Sequence, residues 1–495
     1  MSLQYLMAID QGTTNSRAII FEQNGRLISS HDIPLTQYYP QSGWVEQNPE
    51  EMFRSTIVCC QEALKKAKLQ STSIAAIGIS NQRETTIIWD KITGKPIYPA
   101  IVWQDRRTAE ICQSLAMTSI ADQLTQKTGL LLDPYFSATK IMWILQNVAN
   151  ARERAEKGEL LFGTVDTYLL WKLTQGKAHA TDATNASRTM LYNIVTHQWD
   201  DELLSAFAIP KQLLPEVFDS AAEFGRSDSR YFGTPIPITG IAGDQQAATI
   251  GQACFAPGTT KVTFGTGGFL FMNTGQSIVR SKNGLISTIA YRIHNQTTYG
   301  LEGSFFSAGV SIKWLRDTLK IIKNAADTES LAQQIPDNDG VYLVSAFTGL
   351  GAPYWQPQIR AALFGLARNH GAEYFARAAL ESVAYQTRDV LEAMLADYPI
   401  DSLLLHVDGG MTANNWLLQF LADMIATDIV RPSCIETSAL GAAYLAGLQI
   451  GIFQSLDDIA AHQAIDRIFK PKMSKQERNK LYTRWQDVVR RLLTS

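Results

Sequence analysis

The chain has 495 residues, 45% of them apolar and 18% charged, with a formal net charge of −3. That length exceeds what one hydrophobic core serves and predicts two large domains of ordinary globular composition. A near-neutral chain without long basic or acidic blocks excludes nucleic acid and anionic membrane as main partners.

The first element is an apolar run, Leu6 to Ile9, that stops at Asp10 and is followed by Gln11, Gly12, Thr13, Thr14, Asn15 and Ser16 before a second apolar run from Ala18 to Phe21. The pattern predicts a strand–turn–strand hairpin, continued by an Asn24-Gly25 turn into a third strand from Leu27. The opening residues lack a basic leader, so neither a signal peptide nor an 18-residue apolar span is expected. Further on, AAIGISNQ, KPIYPAIVWQD and LLFGTVDTYLLWKLT mix short strand-like runs with helical periodicity. Around residue 250 the pattern is broken by Gly251, Pro257 and Gly258, which sets a domain boundary of 1–250 and 251–495. The second half opens as the first does. KVTFGTGGFLFMNTG, residues 261–275, is again an apolar run, a Gly/Thr tip, an apolar run and an Asn/Gly turn. Two such hairpins half a chain apart predict a duplicated domain. VYLVSAF and SLLLHVDGG read as strands, 374–396 and 413–427 as helices, and 472–494 as a solvated amphipathic helix. The class is α/β.

A Gly/Thr/Ser tip presents backbone N–H groups and hydroxyls that suit phosphate oxygens, and a carboxylate at the strand end suits hydrated Mg²⁺. A plain polar turn has the same composition. Asp244 and Gln245 interrupt a small, apolar run; Asp244 reads equally as a helix N-cap or as a general base, with Ala242 and Gly243 leaving space before its carboxylate. Arg83 beside Glu84 reads as a solvated turn or as a donor–acceptor pair lining a pocket for hydroxyls. The Gly409-Gly410 pair forms either a tight turn or a flat floor for a ring. P-loop, dinucleotide-binding, protein-kinase, zinc-protease and nucleophile-elbow motifs are absent from the sequence. Five cysteines, an odd count without metal-ligand spacing, suit a reducing, cytoplasmic setting.

Taken in order, DQGTTNSRAI, NQRETTI, AIVWQDRRTAEIC, DPYFSATKIMWIL, GTVDTYLLWKLT, TNASRTMLYNI, GIAGDQQAA, FGTGGF, FTGLGAPYW and ESVAYQTRDVLEAM resemble the FGGY carbohydrate kinases over nearly the whole chain. The resemblance implies an actin-like ATPase fold, two ribonuclease-H-like domains with a cleft between them. It implies ATP- and Mg²⁺-dependent phosphorylation of glycerol to sn-glycerol 3-phosphate by a cytoplasmic homo-oligomer, dimer or tetramer, that neither binds nucleic acid nor inserts into a membrane. By matching positions, Arg83, Glu84, Tyr135, Asp244 and Gln245 would hold the glycerol hydroxyls, with Trp103 and Phe269 along its carbon side. Thr13, Thr14, Asn15, Arg17, Thr266 and Gly267 would meet the ATP phosphates, and Gly309, Lys313, Gly410 and Asn414 the rest of the nucleotide. Asp10 would hold Mg²⁺ through water, and Asp244 would accept the proton of the attacking hydroxyl. The remaining readings are a kinase for another polyol or sugar, and a nucleotide-gated binding protein on the same fold.

Departures from the family pattern include Gly268 at the middle of the second tip, Gln356 after APYW, and Pro235 in a shortened loop where some relatives place an arginine for fructose 1,6-bisphosphate. The stretch 224–240 contains no histidine, so control through a phosphorylated histidine there is also not expected. With Pro235 at the position of that arginine, the bidentate phosphate contact is not expected, and titration with fructose 1,6-bisphosphate at fixed ATP and glycerol should leave the rate unchanged. Strong inhibition would contradict this.

Overall fold

The computed structural model describes residues 4–494. They form two compact units, and the chain passes between the units repeatedly. Unit 1 comprises residues 1–255, 287–299 and 437–463; unit 2 comprises 256–286, 300–436 and 464–495.

Unit 1 is built on a six-stranded sheet. Its strands are β1 (Tyr5–Gln11), β2 (Asn15–Glu22), β3 (Leu27–Pro34), β4 (Ile74–Asn81), β5 (Ala221–Arg226) and β6 (Pro237–Gly243), in the order β5-β6-β4-β1-β2-β3. The pairs β1–β2 and β2–β3 are antiparallel, whereas β1–β4 and β4–β6 are parallel. Register places Asp10 opposite both Arg17 and Ser80, and Ser80 opposite Ala242. The polar ends of β1, β4 and β6 therefore share one edge of the sheet.

Two helices sandwich this sheet. Pro49–Ala67 starts on an Asn48 cap whose side chain accepts from the amides of Glu50 and Glu51, and it buries Met52, Phe53, Cys59, Cys60, Ala63 and Leu64. With Met7, Ala18, Ile20, Ile77 and Ile79 these form the core. The other helix, Thr437–Gln449, comes from far along the chain, beyond every strand of this sheet, and is buried nearly all round. It lies backbone against backbone. A Cβ on Gly78 would come within 2.0 Å of the Ala442 carbonyl oxygen, and one on Gly441 within 1.8 Å of the Ala247 carbonyl oxygen.

Unit 2 repeats the pattern. Its main strands are β7 (Thr260–Phe264), β8 (Gly268–Gly275), β9 (Gln296–Phe305), β10 (Leu405–Asp408), β11 (Ile429–Pro432) and β12 (Ile465–Phe469), in the order β9-β8-β7-β10-β11-β12, and a seventh strand, Ile286–Ile293, pairs outside β9. As in unit 1, an antiparallel hairpin, β7–β8, is extended by parallel partners, β7–β10 and β10–β11. The expected helices are Ala372–Asp397 and Asn415–Ile425. The terminal helix, Lys475–Thr494, is not simply solvated. Its Trp485 and Tyr482 pack in the unit 2 core and donate to the buried Asp389 carboxylate at 2.8 and 2.7 Å. A buried carboxylate needs such donors, which ties the helix down.

Gly441→Ala should destabilise the protein by about 1–3 kcal/mol, the usual cost of forcing atoms into a filled contact. Urea unfolding followed by circular dichroism would read this as a lower midpoint; an unchanged midpoint would mean that the helix can move away freely.

Candidate active site

The first tip follows from the β1–β2 hairpin. The Gly12 amide donates to the Asn15 carbonyl oxygen at 3.0 Å and closes the turn, leaving Thr13 half-buried and Thr14 exposed. Asn15 and Arg17 lie on β2, Arg17 opposite Asp10. Asp10 is half-buried at the end of β1, and no cluster of three or more His, Cys, Asp or Glu side chains able to hold a metal occurs among the described residues. A single hard carboxylate fits Mg²⁺ that keeps its waters and phosphate ligands; it does not fit a protein cage.

Beside this tip, Arg83, Glu84, Tyr135, Asp244 and Gln245 converge within unit 1. Arg83 and Glu84 are 3% and 1% exposed, so the solvated-turn reading is overturned. The Arg83 guanidinium Nε lies 3.1 Å from Asp244 Oδ1, and its Nη1 donates to Gln246 Oε1 at 3.3 Å. Glu84 takes a left-handed backbone, φ 58°, that turns its side chain inward. Its Oε1 accepts from Arg188 Nε at 2.7 Å. Arg188 is fully buried and also lies over the Tyr135 and Phe136 rings, at 5.6 and 5.3 Å. Trp103 meets Tyr135 edge to face, with centroids 5.7 Å apart.

Asp244 is the first residue of the helix Asp244–Gly251, whose N-cap is Gly243. The N-cap reading of Asp244 therefore fails. Its side chain, 35% exposed, accepts from the Gln245 amide at 2.7 Å. Nor is the space at Gly243 empty: a Cβ there would lie 2.6 Å from Arg83 Cδ, so glycine admits the arginine stem. The Gly243 amide donates to Thr184 Oγ1 at 2.9 Å, and Thr184 donates to the buried Asp182 at 2.9 Å. The start of this helix is thus fastened to a buried polar network.

Lys140 is a second buried cation that sequence reasoning missed. Its Nζ donates to the carbonyl oxygens of Pro134, Tyr135 and Phe136 at 2.7, 2.6 and 2.9 Å, pinning the loop that presents Tyr135. The available signal was a charge inside the apolar helix SATKIMWIL.

Phe269, Thr266, Gly267, Gly309, Lys313, Gly410 and Asn414 belong to unit 2. The tip closes with the Gly265 amide on the Gly267 carbonyl oxygen at 2.9 Å, and Gly309 donates to the Gly265 carbonyl oxygen at 3.0 Å. A Cβ on Gly309 would sit 2.6 Å from that oxygen, so only glycine allows the approach. Thr266 and Lys313 are exposed, and Phe269 is half-buried on β8. Gly409 abuts Phe264 at the end of the neighbouring strand, while the Cβ position of Gly410 faces open space. Asn414 caps the helix Asn415–Ile425 by accepting from the Leu417 amide at 2.9 Å.

Burial pushes the Lys140 ammonium down to about 8 from 10.5. The unfolded chain then binds more protons between pH 8 and 10.5, so the cost of burying this charge is fully present below pH 8 and is relieved as pH rises. Relative to Lys140→Met, the wild type should gain stability from pH 8 to 10, on the order of 3 kcal/mol for the whole window at ~1.4 kcal/mol per unit. Paired urea titrations across pH would measure this; parallel pH profiles would refute it.

Known proteins resemble this chain along its whole length. The N-terminal domain of the FGGY family of carbohydrate kinases matches residues 5–251, and the C-terminal domain matches 260–450. A glycerol kinase of Coxiella burnetii (strain Dugway 5J108-111) is 55% identical over 491 residues, 99% of this chain and 98% of the relative. Glycerol kinase 1 of Pseudomonas aeruginosa is 54% identical over 488 residues, 99% of each chain. The crystal structure of Plasmodium falciparum glycerol kinase with ADP superposes with a TM-score of 0.91 at 37% identity, covering 99% of this chain and 98% of that one. Xylulose kinase from Lactobacillus acidophilus, 23% identical with a TM-score of 0.89, shares the fold, over 100% of this chain and 99% of that one. The chain belongs to the FGGY family of carbohydrate kinases, and its two-domain α/β architecture is the actin-like ATPase fold that the resemblance implies.

Proposed function

We propose that the protein phosphorylates glycerol with ATP and that Asp244 is the general base. The activity rests on full-length identity of 55% to a glycerol kinase, against 23% to a xylulose kinase of the same fold. The observation that carries the chemistry is the Asp244 carboxylate, partly exposed at a helix start and held from behind by the buried Arg83 at 3.1 Å.

Each group has a distinct task. Arg83 and Gln245 donate to the hydroxyls of glycerol, Glu84 accepts from them, Tyr135 also holds a hydroxyl, and Trp103 and Phe269 flank its carbons. A small polar ligand needs such convergent partners. Asp244 takes the proton of the terminal hydroxyl as its oxygen bonds to the γ-phosphorus and the bond from that phosphorus to the β–γ bridging oxygen breaks, leaving ADP. Thr13, Thr14, Asn15, Arg17, Thr266 and Gly267 hold the phosphates, with Gly309, Lys313, Gly410 and Asn414 around the remaining nucleotide. Bound Mg²⁺ would neutralise phosphate charge, with Asp10 holding it through water. Phosphoryl transfer asks mainly for positioning and charge compensation, and fixed backbone tips supply both.

The setting proposed is the cytoplasm, in keeping with an odd count of five scattered cysteines. No described helix is long and apolar enough to cross a membrane. A homo-oligomer, dimer or tetramer, follows the family resemblance; light scattering measures it directly.

ADP release in a coupled assay should require glycerol. Asp244→Asn keeps an acceptor for Arg83 and removes the proton acceptor. Its kcat should fall by roughly 10²–10⁴-fold, with glycerol KM and melting temperature little changed. Near-normal turnover would remove Asp244 from the mechanism.

A further inference from the structure

Trp103 packs on Tyr135 of the proposed polyol pocket and donates to the first tip. Its indole Nε1 donates to Thr13 Oγ1 at 2.9 Å. Its backbone amide donates to Thr85 Oγ1 at 3.3 Å, Thr85 donates to Gln82 Oε1 at 3.1 Å, Gln82 Nε2 donates to Gln47 Oε1 at 2.9 Å, and Gln47 Nε2 donates to the Thr13 carbonyl oxygen at 2.6 Å. Thr85, Gln82 and Gln47 are 0%, 2% and 1% exposed. Two routes therefore leave Trp103 and end on the same residue.

The direction of both routes is set by chemistry. An indole N–H and a backbone N–H can only donate, and a backbone carbonyl can only accept. The Gln47 amide is oriented by the Thr13 carbonyl oxygen. The Gln82 amide is oriented by the Gly12 carbonyl oxygen, to which its Nε2 also donates at 3.3 Å. No link can be reversed without facing two donors or two acceptors. At Thr13 the consequence is specific. Its hydroxyl oxygen accepts from the indole, so its own hydrogen is directed to another acceptor, and phosphate oxygens are acceptors only.

We propose that Trp103, supported by Thr85, Gln82 and Gln47, is a positioning residue that sets the Thr13 hydroxyl as a hydrogen-bond donor toward the transferred phosphoryl group. The inference rests on the phosphate role of the first tip given above. It assigns Trp103 a second task besides flanking glycerol: the indole that meets the polyol also orients a phosphate donor.

A double-variant cycle tests this, with folding of each variant checked by its melting curve. Trp103→Phe keeps an aromatic ring and removes the N–H; Thr13→Val keeps the shape and removes the hydroxyl. Each should lower kcat by roughly ten- to a hundredfold, the scale of one hydrogen bond to a charged group. The double variant should be no slower than Thr13→Val alone, because Trp103 acts through that hydroxyl. Gln47→Met, remote from both substrates, should also lower kcat and leave glycerol KM unchanged. Multiplying effects in the double variant, or a Trp103→Phe change confined to glycerol KM, would overturn the proposal. Wild-type kcat in Thr13→Val would overturn it together with the phosphate role of Thr13. Failure of the wild type to form glycerol phosphate would instead sink the reading beneath it.

Discussion

Arg83, Glu84 and Arg188 are taken out of water together, and the arrangement of unit 1 around them follows from that. Each buried ion costs several kcal/mol unless partners replace its hydration. Arg188 supplies a donor to Glu84, and Arg83 reaches Asp244 and Gln246. The requirement spreads outward: Gly243 must be glycine-sized for Arg83 to pass, and Glu84 must adopt a left-handed backbone to face inward. In the proposed function, selectivity for a hydroxyl-rich substrate would come from the same source. A ligand that lacks a hydroxyl leaves one of these groups desolvated without a partner, which costs far more than a lost hydrogen bond gains.

The two hairpin tips proposed to meet phosphate use the opposite strategy. They are made of backbone and short hydroxyl side chains at the ends of buried strands, where there is little side-chain freedom to lose. Gly309 against the Gly265 carbonyl oxygen and Gly409 against Phe264 show how closely main chain is packed there in unit 2. In unit 1 the tip is held through side chains, from Gln47 and Trp103. A duplicated fold has thus reached similar tips by different local means.

Both hairpins were legible because turn residues between two apolar runs leave few other structures open. The family motifs likewise led to Arg83, Glu84, Tyr135, Asp244 and Gln245, which unit 1 brings together. Lys140 and Arg188 were not legible as site residues. Along a sequence, a lysine or arginine reads as a solvated side chain, and only the fold reveals three carbonyl oxygens converging on one ammonium. Gln47, Gln82 and Thr85 were hidden for a related reason, since the direction of a hydrogen bond depends on neighbours distant in the chain. Alternatives at Asp244 stayed open until the helix cap was seen to fall one residue earlier, on Gly243.

The helix Thr437–Gln449 places a constraint on how the protein is made. Unit 1 has released most of its residues by position 255, yet one face of its sheet is covered by residues 437–463. At ribosomal speeds of ~5–20 residues per second, that cover arrives roughly 10–40 seconds later. Throughout this interval the small-residue face around Gly78 and Gly240 stands open, shaped for a helix that does not yet exist. Unit 1 can therefore close this face only after nearly the whole chain has been synthesised.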